Sequence, residues 1–314
     1  MTKTRRLFAV LMFPLSVCIV TSADAASTSY VSRAGTATTG CSKTAPCGII
    51  ANAIQAAGVG GEAICLDKGT FGGAIISQSV TISCGDDLWE APATEVNINA
   101  PAGSNVSIEG LTMDGTNFAG TAMTISGQGS LRLHHVRIGN TPGAGTDGLL
   151  FKPRGGATLT ISDSIFYSNG GPGTGGGIVI NPQSGGFAQV ALERVVVTGN
   201  AFGIAADGSG STGGINMTIA DSMIAGNTQD GIIATTSSGG AAIGVYVKNT
   251  KSVNNAFGIR SLGPNVTVRV DGSSVIGNGT GLSFSGGGIL ATYGNNAVNA
   301  NAANGSFSGS IPLQ

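Results

Sequence analysis

From about Val106 onward, apolar residues alternate with polar ones over three to five positions, then give way to Gly, Ser, Asn and Thr. A period of two marks short strands punctuated by turns. One set of these runs starts at Leu131, Leu159, Val190, Met217, Val245 and Val268. A second set starts with Gly and an aliphatic residue, at Gly148, Gly177, Gly203, Gly231, Gly258 and Gly281. Between the two sets sits an Asn: Asn140, Asn169, Asn200, Asn227, Asn255 and Asn278. Three markers therefore keep one phase over six copies, at a spacing of about 27 residues, within the solenoid range of roughly 20–50. Helical repeats would need longer stretches with apolar residues at i, i+3 and i+4, and a propeller blade would need about 40 residues. The pattern predicts an all-β, single-stranded, right-handed parallel β-helix, each coil made of three short strands that pair with their equivalents in the next coil. The recurrent Asn is expected in the left-handed region at a corner, its side chain hydrogen-bonding along the column.

The beginning of the chain breaks the pattern. Ile50, Ala53, Ile54 and Ala57 share one helical face, and Gly58–Gly61 end it. A short helix over Gly48–Ala57 is expected to cap the open end of the solenoid. Ahead of it, Lys3, Arg5 and Arg6 precede an apolar run from Leu7 to Val20 and then small residues at Ala23 and Ala25. That is the pattern of a secretory signal peptide cleaved after Ala25 or Ala26; about 20 apolar residues are needed to span a bilayer, more than this run offers. No later segment reads as a membrane span. The organisation expected is a signal peptide at 1–26, a cap and first coils at 27–95, stacked coils at 96–293, and a last coil or tail at 294–314.

Without the leader, four cysteines remain: Cys41, Cys47, Cys65 and Cys84. An even count in an exported chain suggests two disulfides. Of the three pairings, the local one, Cys41–Cys47 with Cys65–Cys84, is preferred. Export places the protein in the periplasm or outside the cell.

Composition removes other classes. Lys+Arg number 15 against 16 Asp+Glu, a net charge of -1, which gives no pull on nucleic-acid phosphates. The 53 glycines follow no G-X-Y repeat, so collagen is excluded, and 41% apolar residues argue against disorder.

The segment GGEAICLDKGTFGGAIISQSVTISC (residues 60–84), followed by repeats in which Asn precedes Gly-Ile, as in Asn227–Ile232, resembles the pectate-lyase-like right-handed parallel β-helix superfamily, the pectin lyase fold. The resemblance runs from about Ser29 to Gly288 and matches no specific enzyme family. It implies the fold; the superfamily spans lyases, hydrolases, esterases, epimerases, tailspikes and adhesins, so it implies no single activity. Lyases of this fold hold calcium with clustered acids, and the dense acidic stretch here is Asp86, Asp87, Glu90 and Glu95. Asp86, Asp87 and Glu90 are accordingly the metal candidates; no cofactor is expected unless they hold calcium. Pectin methylesterases of this fold use two Asp and one Arg on neighbouring coils, a composition shared by Asp163, Arg194 and Asp221.

Aligning the coils puts the few charged residues into columns. One reads His134, Ser162, Glu193, Ala220, Lys248, Asp271; the next reads His135, Asp163, Arg194, Asp221, Asn249, Gly272. Asp163, Arg194 and Asp221 alternate in sign; the plain reading is a cross-coil salt ladder, the chemical one a catalytic or binding set. His135 beside Asp163 would form part of a triad, yet no Gly-x-Ser-x-Gly elbow supplies a nucleophile. A further column holds Lys152, Asn181, Asp207 and Thr235, with Arg154 nearby. Lys152, Arg154 and Asp207 form a candidate surface for an acidic sugar, and outward Tyr246 a candidate stacking ring. Two functions remain: an exported protein that binds, and could process, a polysaccharide, or a non-catalytic structural or adhesin-like surface module. Whether it is an enzyme is left open. A monomer is expected, with the C-terminal end as a candidate self-association edge.

Overall fold

A computed structural model describes residues 26–312 except residues 86, 93, 117 and 119. The leader pattern and Asp86 therefore lie outside the described residues, apart from Ala26. The chain winds as a right-handed, all-β parallel solenoid. Its strands form three parallel sheets of 12, 9 and 10 strands, here sheets I, II and III. Each coil passes from sheet I to sheet III to sheet II and back; Ser104–Glu109, Leu111–Asp114 and Met123–Ile125 are one such pass.

Alternation sets the register. In sheet I, Leu131, Leu159, Val190, Met217, Val245 and Val268 are aligned from coil to coil. Leu133, Ile161, Leu192, Ile219, Val247 and Val270 form a second such column, and both columns are buried. Each buried aliphatic side chain contributes about 1.5–3 kcal/mol. A slip of one residue would turn these columns outward, so the pairing is strongly specified.

The corner between sheets II and III holds the polar spine of the molecule. Asn169 Nδ2 donates to Asn200 Oδ1 at 3.0 Å, Asn200 to Asn227 at 3.1 Å, Asn227 to Asn255 at 2.9 Å and Asn255 to Asn278 at 3.1 Å. The backbone N–H of each of these residues donates to the same oxygen, at 2.9 or 3.0 Å. Asn278 continues the ladder to Asn301, and Thr141 starts it by donating to Asn169 Oδ1 at 2.8 Å. Two expectations are corrected here. The left-handed residue is the one before each ladder Asn: Ser168, Gly199, Gly226, Asn254 and Gly277 have positive φ, and the ladder residues do not. Asn140 takes that left-handed position in its own coil (φ 55), and its Nδ2 donates to Asp114 instead.

The N-terminal end is closed as expected. Helix Ile50–Ala57 buries Ile50, Ala53, Ile54 and Ala57 and stops at Gly58, whose φ is 69. It packs on strands Thr28–Val31 and Gly61–Cys65. The disulfides are Cys41–Cys47 and Cys65–Cys84. At the other end, Ala297–Asn299 and Gly309–Ser310 still pair in parallel with the preceding coil. Among the described residues no helix is long and apolar enough to cross a membrane.

Candidate functional site

The corner between sheets I and III carries a run of charged and imidazole side chains on successive coils. It is built from one residue per coil in the left-handed conformation: Gly110, His135, Asp163, Arg194, Asp221, Asn249 and Gly272. The N–H of Asp163 donates to Glu193 O at 3.1 Å and that of Arg194 to Ala220 O at 3.2 Å, so the corner is hydrogen-bonded to the strand ends of the following coil. Gly, Asn, Asp and His accept this backbone most readily. Arg194 does not belong to that group, and its side chain is engaged on both sides. Its Nε and Nη2 donate to Asp163 Oδ1 and Oδ2 at 2.7 and 2.8 Å, and Nη1 contacts Glu193. The hydrogen bond from Arg194 holds the Asp163 carboxyl below the ordinary carboxylate range and raises Arg194 in turn. Solvent screening keeps this exposed pair a minor term in stability.

The anticipated three-member ladder stops at two. Asp221 Oδ1 accepts from Asn249 Nδ2 at 2.5 Å. Arg194 is already filled by Asp163 and Glu193, so Asp221 turns to the next coil.

His134, on the neighbouring column, is the imidazole that meets Asp163. Its Nδ1 lies 2.9 Å from Ser162 Oγ and 3.5 Å from Asp163 Oδ2. His135 instead lies against the His134 ring, with centroids 4.0 Å apart. The Ser162–His134–Asp163 grouping does not make a proton relay, because hydroxyl and carboxylate address the same ring nitrogen and a relay needs one on each. Glu109 is in register with His134 one coil earlier. Ligand-type atoms of Glu109, His134 and His135 lie within 4.8 Å of one another. Extending the His134 column back by one coil would have found Glu109 in the sequence. A hollow of about 230 Å³ beside this cluster is lined by Asp87, His135, Val136, Arg137, Asp163 and Ile165.

Of the calcium candidates, Asp86 lies outside the described residues, and Asp87 and Glu90 make separate contacts. Glu90 pairs with Lys68 at 3.2 Å, while Asp87 lines the hollow beside His135. Calcium needs six or more oxygen ligands. Among the described residues, Glu109, His134 and His135 form the one grouping of three metal-ligand side chains, and imidazole suits other ions.

The candidate sugar-binding residues divide between two faces. Lys152 follows strand Asp147–Phe151 and Asp207 ends Phe202–Asp207, both in sheet II, with Arg154 just beyond Lys152. Asp207 is already committed: Oδ2 accepts from Asn181 at 2.8 Å and Oδ1 from the Ser209 N–H at 2.9 Å. Tyr246 is on sheet I. It lines a trough of about 500 Å³ with Thr158, Gln189, Asn216, Thr218 and Arg269. The Tyr246 hydroxyl donates to Asp271 Oδ2 at 2.5 Å, which pushes its pKa up to about 12, and its ring meets Tyr293 edge-on at 6.1 Å. Neither a carboxylate nor an imidazole lines the trough. Trp89, the single tryptophan, is fully buried, with its indole N–H on Gly72 O at 2.8 Å, so it offers no stacking surface.

Two carboxyls lie inside. Asp147 is pushed up to about 7 by burial, against the Gly176 N–H at 2.8 Å and the charge of Lys152. Asp230, wholly buried, is pushed up to about 6 by burial, opposed by Arg260 at 3.1 Å.

No family model and no curated protein matches the sequence. Solved β-helix structures are similar at a distance. The mannuronan C-5 epimerase AlgE6 A-module of Azotobacter vinelandii is 15% identical, covers 84% of this chain and 94% of its own, and has a TM-score of 0.47. A rhamnogalacturonan lyase is 10% identical, with 92% and 89% covered and a TM-score of 0.47. Pectate lyase Pel9A is 15% identical, with 91% and 78% covered and a TM-score of 0.45. Likenesses of this degree bear on neither activity nor substrate.

Proposed function

We propose that the protein is exported and binds a polysaccharide along the outward face of sheet I. The observation that carries this is the trough over strands Gly156–Ser162, Phe187–Glu193, Gly214–Ala220, Ile243–Lys248 and Val266–Asp271, open to solvent along the stack. Its hydroxyls and amides come from successive coils, so donors and acceptors repeat at roughly 4.8 Å along the axis. Tyr246 supplies a ring with its hydroxyl fixed, and Arg269 a cation beside it. That combination of a few oriented polar groups and one aromatic face suits a sugar chain. The leader pattern and the two disulfides support export, since disulfides persist in oxidising compartments. The lining offers hydroxyls, amides, one phenol and one guanidinium, a set suited to holding a sugar chain.

Affinity electrophoresis against a panel of neutral and acidic polysaccharides tests this. Retardation is expected with at least one, weakened about tenfold, or roughly 1.4 kcal/mol, by Tyr246→Ala and less by Tyr246→Phe. Binding that ignores Tyr246→Ala and Arg269→Gln removes this face from consideration. No retardation by any polymer leaves the non-catalytic spacer or adhesin-like module. Reducing ends or unsaturated uronic products would replace binding with catalysis.

A further inference from the structure

Both histidines of the chain are consecutive, and both are brought to one corner. On a continuing strand, neighbours point to opposite faces. Here the strand ends at His134, and His135 turns into the left-handed region with φ 49. The turn brings the two imidazoles together, their planes 32° apart. Glu109 comes alongside from the preceding coil because the parallel register sets it opposite His134. Three coils thus converge: Glu109 from one, the His pair from the next, and Ser162 with Asp163 from the third.

We propose that Glu109, His134 and His135 bind a divalent ion of the zinc class. Two neutral imidazoles and one carboxylate are donors that zinc prefers and calcium does not. Donors about 2.1 Å from a tetrahedral ion lie roughly 3.4 Å from one another. The three ligand atoms lie within 4.8 Å of one another, so binding draws the side chains inward by rotation about their χ angles. Glu109 and His134 are half-buried and His135 is exposed, so the fourth position opens to solvent.

The surrounding residues give His134 the support such a ligand needs. A metal-bound imidazole uses one nitrogen for the ion and donates the other N–H to a carboxylate or similar acceptor. Ser162 Oγ and Asp163 Oδ2 lie 2.9 and 3.5 Å from His134 Nδ1. With the proton on Nδ1, Nε2 carries the lone pair. Asp163 is fixed in turn by the two-point bond from Arg194. The Asp163–Arg194 pair acts as a positioning unit for a metal ligand, and this site stands independently of the sugar-binding reading.

The test uses untagged protein stripped with a chelator and titrated with zinc by calorimetry. One zinc per chain is expected, with calcium giving no heat. His134→Gln and His135→Asn should each abolish stoichiometric uptake; Asn at position 135 retains a residue tolerant of the left-handed backbone. Asp163→Asn should keep one site and weaken it about 10–100-fold. Circular dichroism checks that each variant remains folded. Imidazole nitrogen NMR shifts on the unmodified chain give a second readout: with 2 His present, both should move on zinc addition. The proposal is overturned if zinc is not taken up, if both variants take it up as the parent does, or if neither imidazole signal moves. Unchanged affinity in Asp163→Asn would overturn the positioning role.

Discussion

A methyl group on Gly231 would come within 2.6 Å of Asn255 Nδ2. The same holds along the stack: added Cβ atoms on Gly148, Gly177, Gly203 and Gly258 meet Asn169, Asn200, Asn227 and Asn278 at 2.7–3.0 Å. The Gly and Asn columns are one device: the asparagine fills the space that each glycine leaves. Asn255 also accepts both the backbone and the side-chain N–H of Asn227. Asn255→Ala orphans the buried Asn227 backbone N–H and leaves its Nδ2 only Val197 O, a loss of roughly 1–3 kcal/mol or more. Gly231→Ala should destabilise comparably by forcing the ladder aside. Urea unfolding should show an earlier transition for either variant. Midpoints equal to the parent's would show that the ladder is not a stabilising element.

Asp147 makes stability depend on pH in the direction opposite to a surface acid. Its folded pKa, about 7, lies above the unfolded value, so the native state binds more protons between roughly pH 4 and 7. Stability should therefore fall as pH rises through that window. Asp147→Asn keeps an oxygen for the Gly176 N–H and removes the charge. It should flatten the slope and raise stability at pH 8, by an amount on the order of 3 kcal/mol. Part of the slope should survive, because Asp230 titrates near 6 in the same sense. Melting curves from pH 4 to 8 read the difference; an unchanged profile would refute the assignment.

Arg260 spans two roles. Its guanidinium bonds to Asp230 and lies over the Phe257 ring, 4.3 Å from the centroid. Arg260→Met keeps an apolar stem on the ring and strands a buried carboxylate, a loss of about 3–5 kcal/mol at pH 8. Near pH 5 the loss should shrink, since Asp230 can enter the fold protonated. Chemical denaturation at the two pH values tests this; equal losses would mean that the packing, not the charge, carries the effect.

The coil architecture was legible because it is written as periodicity. Alternation gives the strands, and the phased Asn and Gly give the coils. Even the outward column from His134 to Asp271 follows by counting, and it matches the register. Counting fails at corners. A left-handed residue redirects the next side chain, so the imidazole beside Asp163 is His134 rather than His135, and the turn precedes the ladder Asn. Side-chain choice is equally hidden: nothing in the spacing tells whether Arg194 favours Asp163 or Asp221. Tyr246 and Lys152 belong to different strand sets in the sequence, and they lie on different sheets.

The asparagine spine has a consequence for how such a chain can change. Asn200 and Asn227 are 27 positions apart and present the same donor and acceptor to their neighbours. Excising residues 200–226 would bring Asn169 against Asn227, with the hydrogen-bonding pattern and both aliphatic columns continuous across the splice. Length is therefore free to vary in whole coils, by duplication or loss, while the outward side chains drift independently. What such an event would not preserve is the trough, whose groups come from particular coils. The scaffold is a modular filament; its recognition surface is a singular arrangement on it.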